Sequence, residues 1–214
     1  SGDRVEITST DPGFPRDAAA WCNSTGNQLI SKETAGGKSV VVIEKGEPKS
    51  CNIVTSCEGK GKTFIMFSDD LDKALATFVL ANGAAATGQK VTIFFTFWGL
   101  NVIKKLHKPN VEKDIFGKMF GMMLPSSSRK LKLSKMSMGG IGGKMMRYIM
   151  NRKGIDSLES LRQQALENGV EFIACQMSMD VMGVKQEELL DEVTIGGVAT
   201  YMERADNANI NLFI

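Results

Sequence analysis

The chain has 214 residues, 43% of them apolar and 23% charged, with a formal net charge of +2. That balance excludes disorder, collagen and coiled coil as overall descriptions and suits one or two globular domains. The longest clean apolar runs, Val91 to Leu100 and Ala74 to Ala81, fall well short of the ~20 residues a membrane span needs.

The opening Ser1-Gly2-Asp3 has neither the basic n-region nor the apolar h-region of a signal peptide. Its start without Met reads as a cloning remnant or a cut inside a longer protein. From Arg4 to Glu44 the pattern is a strand (Val5 and Ile7 alternating), a helix opened by Pro15 or Asp17 and ended near Gly26, a strand at Leu29-Ile30, and a hairpin at Gly36-Gly37 into Val40 to Ile43. This β-α-β-β order, over residues 3–45, is a small partial α+β unit with little core of its own. Residues 46–61 are polar, contain Pro48 and Gly59, and suit a linker.

From Lys62 the pattern changes. Thr63 to Phe67 is a strand, Leu71 to Ala86 a helix with Ala and Leu at 3.6 spacing, and Val91 to Phe97 a strand. Ser157 to Asn168 reads as a helix closed by Gly169. Strands at Phe172 to Ala174, Val193 to Ile195 and Ile210 to Ile214, with a helix at Val198 to Ala205, complete the domain. Continuously apolar strands alternating with helices predict an α/β fold with a five-stranded parallel sheet and helices on both faces.

The net charge hides a regional one. Between Lys104 and Lys153 lie thirteen Lys and Arg against Glu112 and Asp114, with eight of the thirteen methionines. The stretch from about 108 to 152, punctuated by Gly139-Gly140-Ile141-Gly142-Gly143, is therefore read as an insertion whose methionines form an adaptable face. That face suits an oligomer interface or a lid over the sheet's carboxyl edge, with an anionic membrane surface as the rival. Aromatic residues are sparse among the lysines, which argues against nucleic acid.

In open parallel sheets, ligands bind where strand carboxyl ends meet helix amino ends. Three segments reach that edge, and they supply the candidates Ser68 and Asp69, then Thr96, Trp98 and Gly99, then Cys175, Ser178 and Asp180. Ser68, Asp69 and Asp70 also fit a helix cap. A thiol at a strand end, favoured as thiolate by helix-end N–H groups and by Lys104, Lys105 or Lys144, is a candidate nucleophile. The competing reading makes Cys175 a small buried residue. Cys51 and Cys57 are candidate secondary thiols, or two unrelated surface cysteines. His107, the single histidine, reads as a surface residue. No zinc spacing and no dinucleotide, P-loop or hydrolase fingerprint is present, so no metal or cofactor is expected in this chain.

The segments FIMFSDDLDKALATFVLANGAAA, TIFFTFWGLNVIKK and FIACQMSMDVMGV, in that order, resemble the DsrE/DsrF-like sulfur-relay family. The resemblance implies a flavodoxin-like α/β subunit that forms homo-oligomers and carries sulfur as a persulfide on Cys175. It also implies rhodanese-like or TusA-like proteins as sulfur donors and acceptors. The four cysteines, far below the density of a disulfide scaffold, read as cytosolic thiols and so as a cytoplasmic location, with membrane association through the basic face as a variant. ITSTDPGFPRDAAAWCNSTGNQLI resembles the later part of a TusA-like sulfur carrier, although its Cys-Pro motif is absent. Cys22 is thus read as packed. Such carriers occur behind rhodanese and disulfide-reductase domains, so the resemblance implies the C-terminal part of a larger fusion. The alternative is a non-catalytic interaction, anion-binding or membrane-surface module of an FAD-dependent disulfide oxidoreductase.

Overall fold

The computed structural model describes residues 2–10, 13–46, 61–107, 109, 111–113 and 115–214. Cys51, Cys57 and most of the expected linker lie outside the described residues.

The N-terminal unit consists of β1 (Arg4–Ser9), α1 (Phe14–Thr25), β2 (Gln28–Ala35) and β3 (Lys38–Glu44). The strands form an antiparallel sheet in the order β1-β3-β2. Gly36 and Gly37 both have positive φ (59° and 75°), the backbone that a tight two-residue hairpin requires. Alternation along β3 turns Val41 and Ile43 inward against Ala18 and Cys22 of α1. Among the described residues, those four, with Phe14 and Leu29 beside them, make up this core. Cys22 is packed, as its sequence context suggests, and burial pushes its thiol pKa up.

The second sheet is formed by β4 (Gly61–Met66), β5 (Val91–Phe95), β6 (Glu171–Cys175), β7 (Thr194–Gly196) and β8 (Ala208–Phe213). All its pairings are parallel, in the order β7-β6-β5-β4-β8. Pleating divides the side chains between two layers. Phe64, Met66, Ile93, Phe95, Phe172 and Ala174 face the main core. Ile65, Phe94, Ile173 and Cys175 face the opposite side. The five-stranded parallel α/β fold with helices on both faces is thus as expected.

The main face is covered by α2 (Leu71–Ala86) and α5 (Leu158–Glu167). Leu71, Ala74, Phe78 and Ala81 form the buried stripe of α2, and the Phe78 ring sits 5.7 Å from that of Phe172. Ser157 starts α5 by accepting from the Ser160 N–H (3.1 Å). The opposite face is covered by α7 (Val198–Asp206), whose Tyr201 packs on Phe94.

Backbone staples fix the sheet's carboxyl edge. Thr96 N–H donates to Met66 O (3.0 Å), Gly99 N–H to Phe67 O (2.8 Å), and Phe67 N–H to Ile214 O (2.9 Å). A Cβ on Gly99 would lie 1.9 Å from Met66 O, so this glycine is required by close backbone approach. Arg162, buried on α5, donates to Val102 O (2.7 Å) and Lys104 O (3.3 Å) and holds the segment after β5.

The basic insertion is folded around α3 (Ile115–Met123) and α4 (Ile141–Arg152). Its glycines serve in two ways. Gly139 and Gly140 have positive φ at the turn into α4, while a Cβ on Gly142 would meet Met136 O at 2.0 Å. Ion pairs tie the insertion down: Lys113 to Glu188 at 2.6 Å, both side chains buried, and Arg147 to Glu159 at 2.9 Å. The methionines do not form one inward face. Met150 is buried and Met146 packs on the core, but Met122 and Met123 are 86% and 77% exposed.

Two stability outcomes are expected. Gly99→Ala should cost about 1–3 kcal/mol in denaturant unfolding through overpacking. Lys113→Met should cost about 3–5 kcal/mol by stranding Glu188, and the double change Lys113→Met/Glu188→Leu should recover most of it.

Candidate functional site

Asp69 and Trp98 meet at the carboxyl edge of β4 and β5, in a cavity of about 580 Å³. The insertion supplies its other walls through Met122, Met123, Lys130 and Lys132. Phe97 makes this geometry. It is a non-glycine residue at φ 46°, an uncommon conformation that ends the strand abruptly and sends Trp98 to the rim. Fully buried Asn101 donates from Nδ2 to Asp69 Oδ2 (2.9 Å), and its Oδ1 has no partner among the described residues. Burial pushes the Asp69 carboxyl above its usual range, and the charge of Asp70 adds to this. The Asn101 hydrogen bond and Lys104 act in the other direction.

The capping role read for Ser68, Asp69 and Asp70 is not the one built. Asp70 occupies the cap position of α2 without a side-chain capping bond. It pairs instead with Lys73 (2.8 Å) and accepts from Ser68 Oγ (2.7 Å). Thr96 and Ser178 are buried and hydrogen-bonded to each other (2.8 Å), a strut between β5 and α6 (Gln176–Met182). Gly99 serves backbone packing. Asp180 accepts from Gln176 at the surface (3.1 Å). Of the expected binding residues, the structure gathers Asp69 and Trp98 in one cavity, with Ser68 alongside.

Cys175 does not join them. It is the last residue of β6 and the first before α6, so its backbone lies at the expected edge. Its side chain follows the strand's alternation to the opposite layer and packs among Phe94, Ile173 and Tyr201, with 3% of its surface exposed. The expectation that it shares a site with the segments after β4 and β5 is corrected on this point. The strand continues one residue past the expected Ala174, so Cys175 takes its direction from the pleat and not from the loop.

The cations expected near the thiol also lie elsewhere. Lys104 donates to Pro125 O (3.2 Å), Lys105 pairs with Asp191 (2.7 Å), and Lys144 is exposed on α4. The cation brought to this strand end is Arg16 of α1, which donates to Ile195 O (3.3 Å) and reaches Gln176 Oε1 (3.5 Å). Sequence reading missed it because nothing local marks a distant docking partner. Lys130 and Lys132 were signalled only by the regional charge. Among the described residues no group of three His, Cys, Asp or Glu is placed to hold a metal, and no helix is long and apolar enough to cross a membrane.

A parallel α/β domain with a thiol at one strand end and a basic insertion over its carboxyl edge defines the class. The chain belongs to the DsrE/DsrF/DrsH-like family, whose sequence pattern matches residues 59–213. It is 44% identical over 155 residues to the uncharacterised protein YrkE of Bacillus subtilis, covering 72% of this chain and 97% of that one. It is 38% identical over 161 residues to the sulfur carrier protein DsrE2 of Allochromatium vinosum, covering 73% and 99%. A putative sulfur carrier protein of Aquifex aeolicus is 41% identical over 44 residues, 21% of this chain and 22% of that one. The crystal structure of the ychN protein from E. coli aligns with 72% of this chain and 99% of its own at 11% identity and a TM-score of 0.44.

The buried carboxyl gives a pH test. Because folded Asp69 keeps its proton to higher pH than the unfolded chain, it lowers stability as pH rises above the ordinary carboxylate range of ~4. Asp69→Asn should therefore melt higher than the parent at pH 7, with the difference closing below about pH 4.

Proposed function

We propose that this protein is a sulfur carrier that holds sulfur as a persulfide on Cys175 and passes it between thiols. The observation that carries the reading is the position of Cys175, at the end of β6 and immediately before α6, in a chain 38% identical to a protein named as a sulfur carrier. In each transfer the Cys175 thiolate attacks the outer sulfur of a donor persulfide. The new S–S bond forms as the donor's S–S bond breaks, the donor leaves as a thiolate, and Cys175 becomes Cys–S–SH. Attack by an acceptor thiolate on that outer sulfur reverses the arrangement. No net oxidation occurs and no cofactor is needed. Donors and acceptors are rhodanese-like or TusA-like proteins, and Cys51 and Cys57 are candidate relay thiols.

The cavity at Asp69 and Trp98 suits docking of a partner segment. It offers carboxylates (Asp69, Asp70), ammonium groups (Lys130, Lys132) and an apolar body (Trp98, Met122, Met123) within one concavity. The TusA-like character of residues 3–45 and an origin in a larger fusion belong to this proposal and rest on the sequence resemblance.

A second reading is favoured by one observation: Met122, Met123, Ile141, Met145 and Tyr148 are exposed within the basic region. Such a face suits a second copy of the chain or an anionic membrane surface. A sulfur-free module would use it for docking alone.

Intact mass separates the readings. After incubation with a sulfane-sulfur donor, the parent should gain ~32 Da on the Cys175 peptide, by the persulfide step of thiol chemistry. Cys175→Ser should gain nothing at that peptide. A parent whose Cys175 never gains mass would end the carrier proposal and leave the docking module.

A further inference from the structure

A thiol that exchanges sulfur must be reached by a second sulfur, yet Cys175 is 3% exposed in the folded chain. Its neighbour across the sheet is Gly196, paired with it in register, and Gly197 follows as the cap of α7. Gly196 is enclosed from within the main domain by Ile173 and Thr200, but Gly197 leaves a seat at the start of α7 for another element to fill. The first turn of α1 does so. The Asp17 carboxylate oxygens stand 2.2 and 2.4 Å from where a Gly197 Cβ would be, and Thr200 donates to Asp17 Oδ1 (3.3 Å). Arg16 donates to Ile195 O on the neighbouring strand and to Gln176 Oε1, on the residue that follows Cys175.

We propose that the first turn of α1 is a removable cover over the Cys175 strand end, and that the thiol reacts when the N-terminal unit lifts away. This rests on the persulfide reading of Cys175. Two features make the cover removable. The contacts that Arg16 and Asp17 make to this strand end are long polar ones at a partly exposed seam, each of modest net strength. The apolar face of α1 packs on its own sheet through Ala18 and Cys22, so the unit can undock without losing its core. When seated, the cover also sets the guanidinium of Arg16 at the strand end, where it suits the negative charge of a persulfide.

The test is the rate at which iodoacetamide alkylates Cys175, read by peptide mass in the full chain. Asp17→Arg removes the carboxylate from the α7 start, and Gly197→Leu fills its seat. Each should raise the Cys175 rate at least tenfold while Cys22, buried in the N-terminal core, stays slow. The double variant Asp17→Cys/Gly197→Cys, oxidised, should react more slowly than the parent and recover on reduction. Equal Cys175 rates in parent, loosened and locked forms would overturn the proposal, because α7 alone would then be the cover. Equal acceleration of Cys22 would also overturn it, since the N-terminal unit would be unfolding and not lifting. Alkylation needs no sulfur chemistry. A Cys175 that is uncovered by these variants but takes no sulfur would therefore defeat the carrier reading and leave the cover standing.

Discussion

The period-two alternation of a β-strand governs this molecule. Because successive side chains leave β6 on opposite faces, Phe172 and Ala174 join the large core under α2 and α5, while Ile173 and Cys175 join the small cluster under α7. One residue of difference in where the strand ends decides which compartment receives the thiol. The same alternation sorts Phe94 from Phe95 and Ile65 from Met66. The chain therefore has two chemically distinct regions at one sheet edge: a polar cavity roofed by the insertion, and a thiol enclosed by α7 and flanked by α1. The cavity proposed for docking and the thiol proposed to carry sulfur thus belong to different layers of the sheet.

The insertion shows how a strongly cationic segment is held on a folded domain. Isolated buried charge is prohibitive, and its cations nearest the core are given oxygen partners. Lys113 has Glu188, Arg147 has Glu159 and the Ser128 carbonyl, and Lys104 has the Pro125 carbonyl. Burial alone would raise the Glu159 carboxyl, but the charge of Arg147 and the bonds from Ser128 and Arg147 hold it below the usual range. Charge thus anchors the insertion on its inner side. On its outer side methionines and lysines are left to solvent, a surface whose flexible thioethers adapt to whatever covers it.

Much of the fold was legible because its signals are local and periodic. The stripe Leu71, Ala74, Phe78, Ala81 repeats on one helical face, Gly36-Gly37 has the only backbone freedom the hairpin needs, and Ser157 and Gly169 bracket α5. The site was legible only as a place. Asp69 and Trp98 follow strands and were found for that reason. The strut between Thr96 and Ser178, and the pairing of Asp70 with Lys73, depend on which polar group happens to lie within reach after folding, and no spacing encodes that. Cys175 was read correctly in position and wrongly in direction, because periodicity places a strand to within a residue and direction changes with each one.

The two glycines beside Cys175 bear on how the halves of the chain depend on each other. Gly196 and Gly197 have no turn to make: neither is among the glycines with positive φ. A Cβ on Gly196 would meet Ile173 Cγ2 at 2.9 Å and Thr200 at 3.2 Å, and one on Gly197 would meet the Asp17 carboxylate. The first glycine is thus fixed by packing within the main domain, but the second is fixed by a residue from the other unit. The backbone at 197 is extended and accepts a side chain, and the nearest atoms one would meet are the carboxylate of Asp17 in α1. Glycine at 197 thus lets the first turn of α1 seat against the start of α7, which a larger residue there would push away.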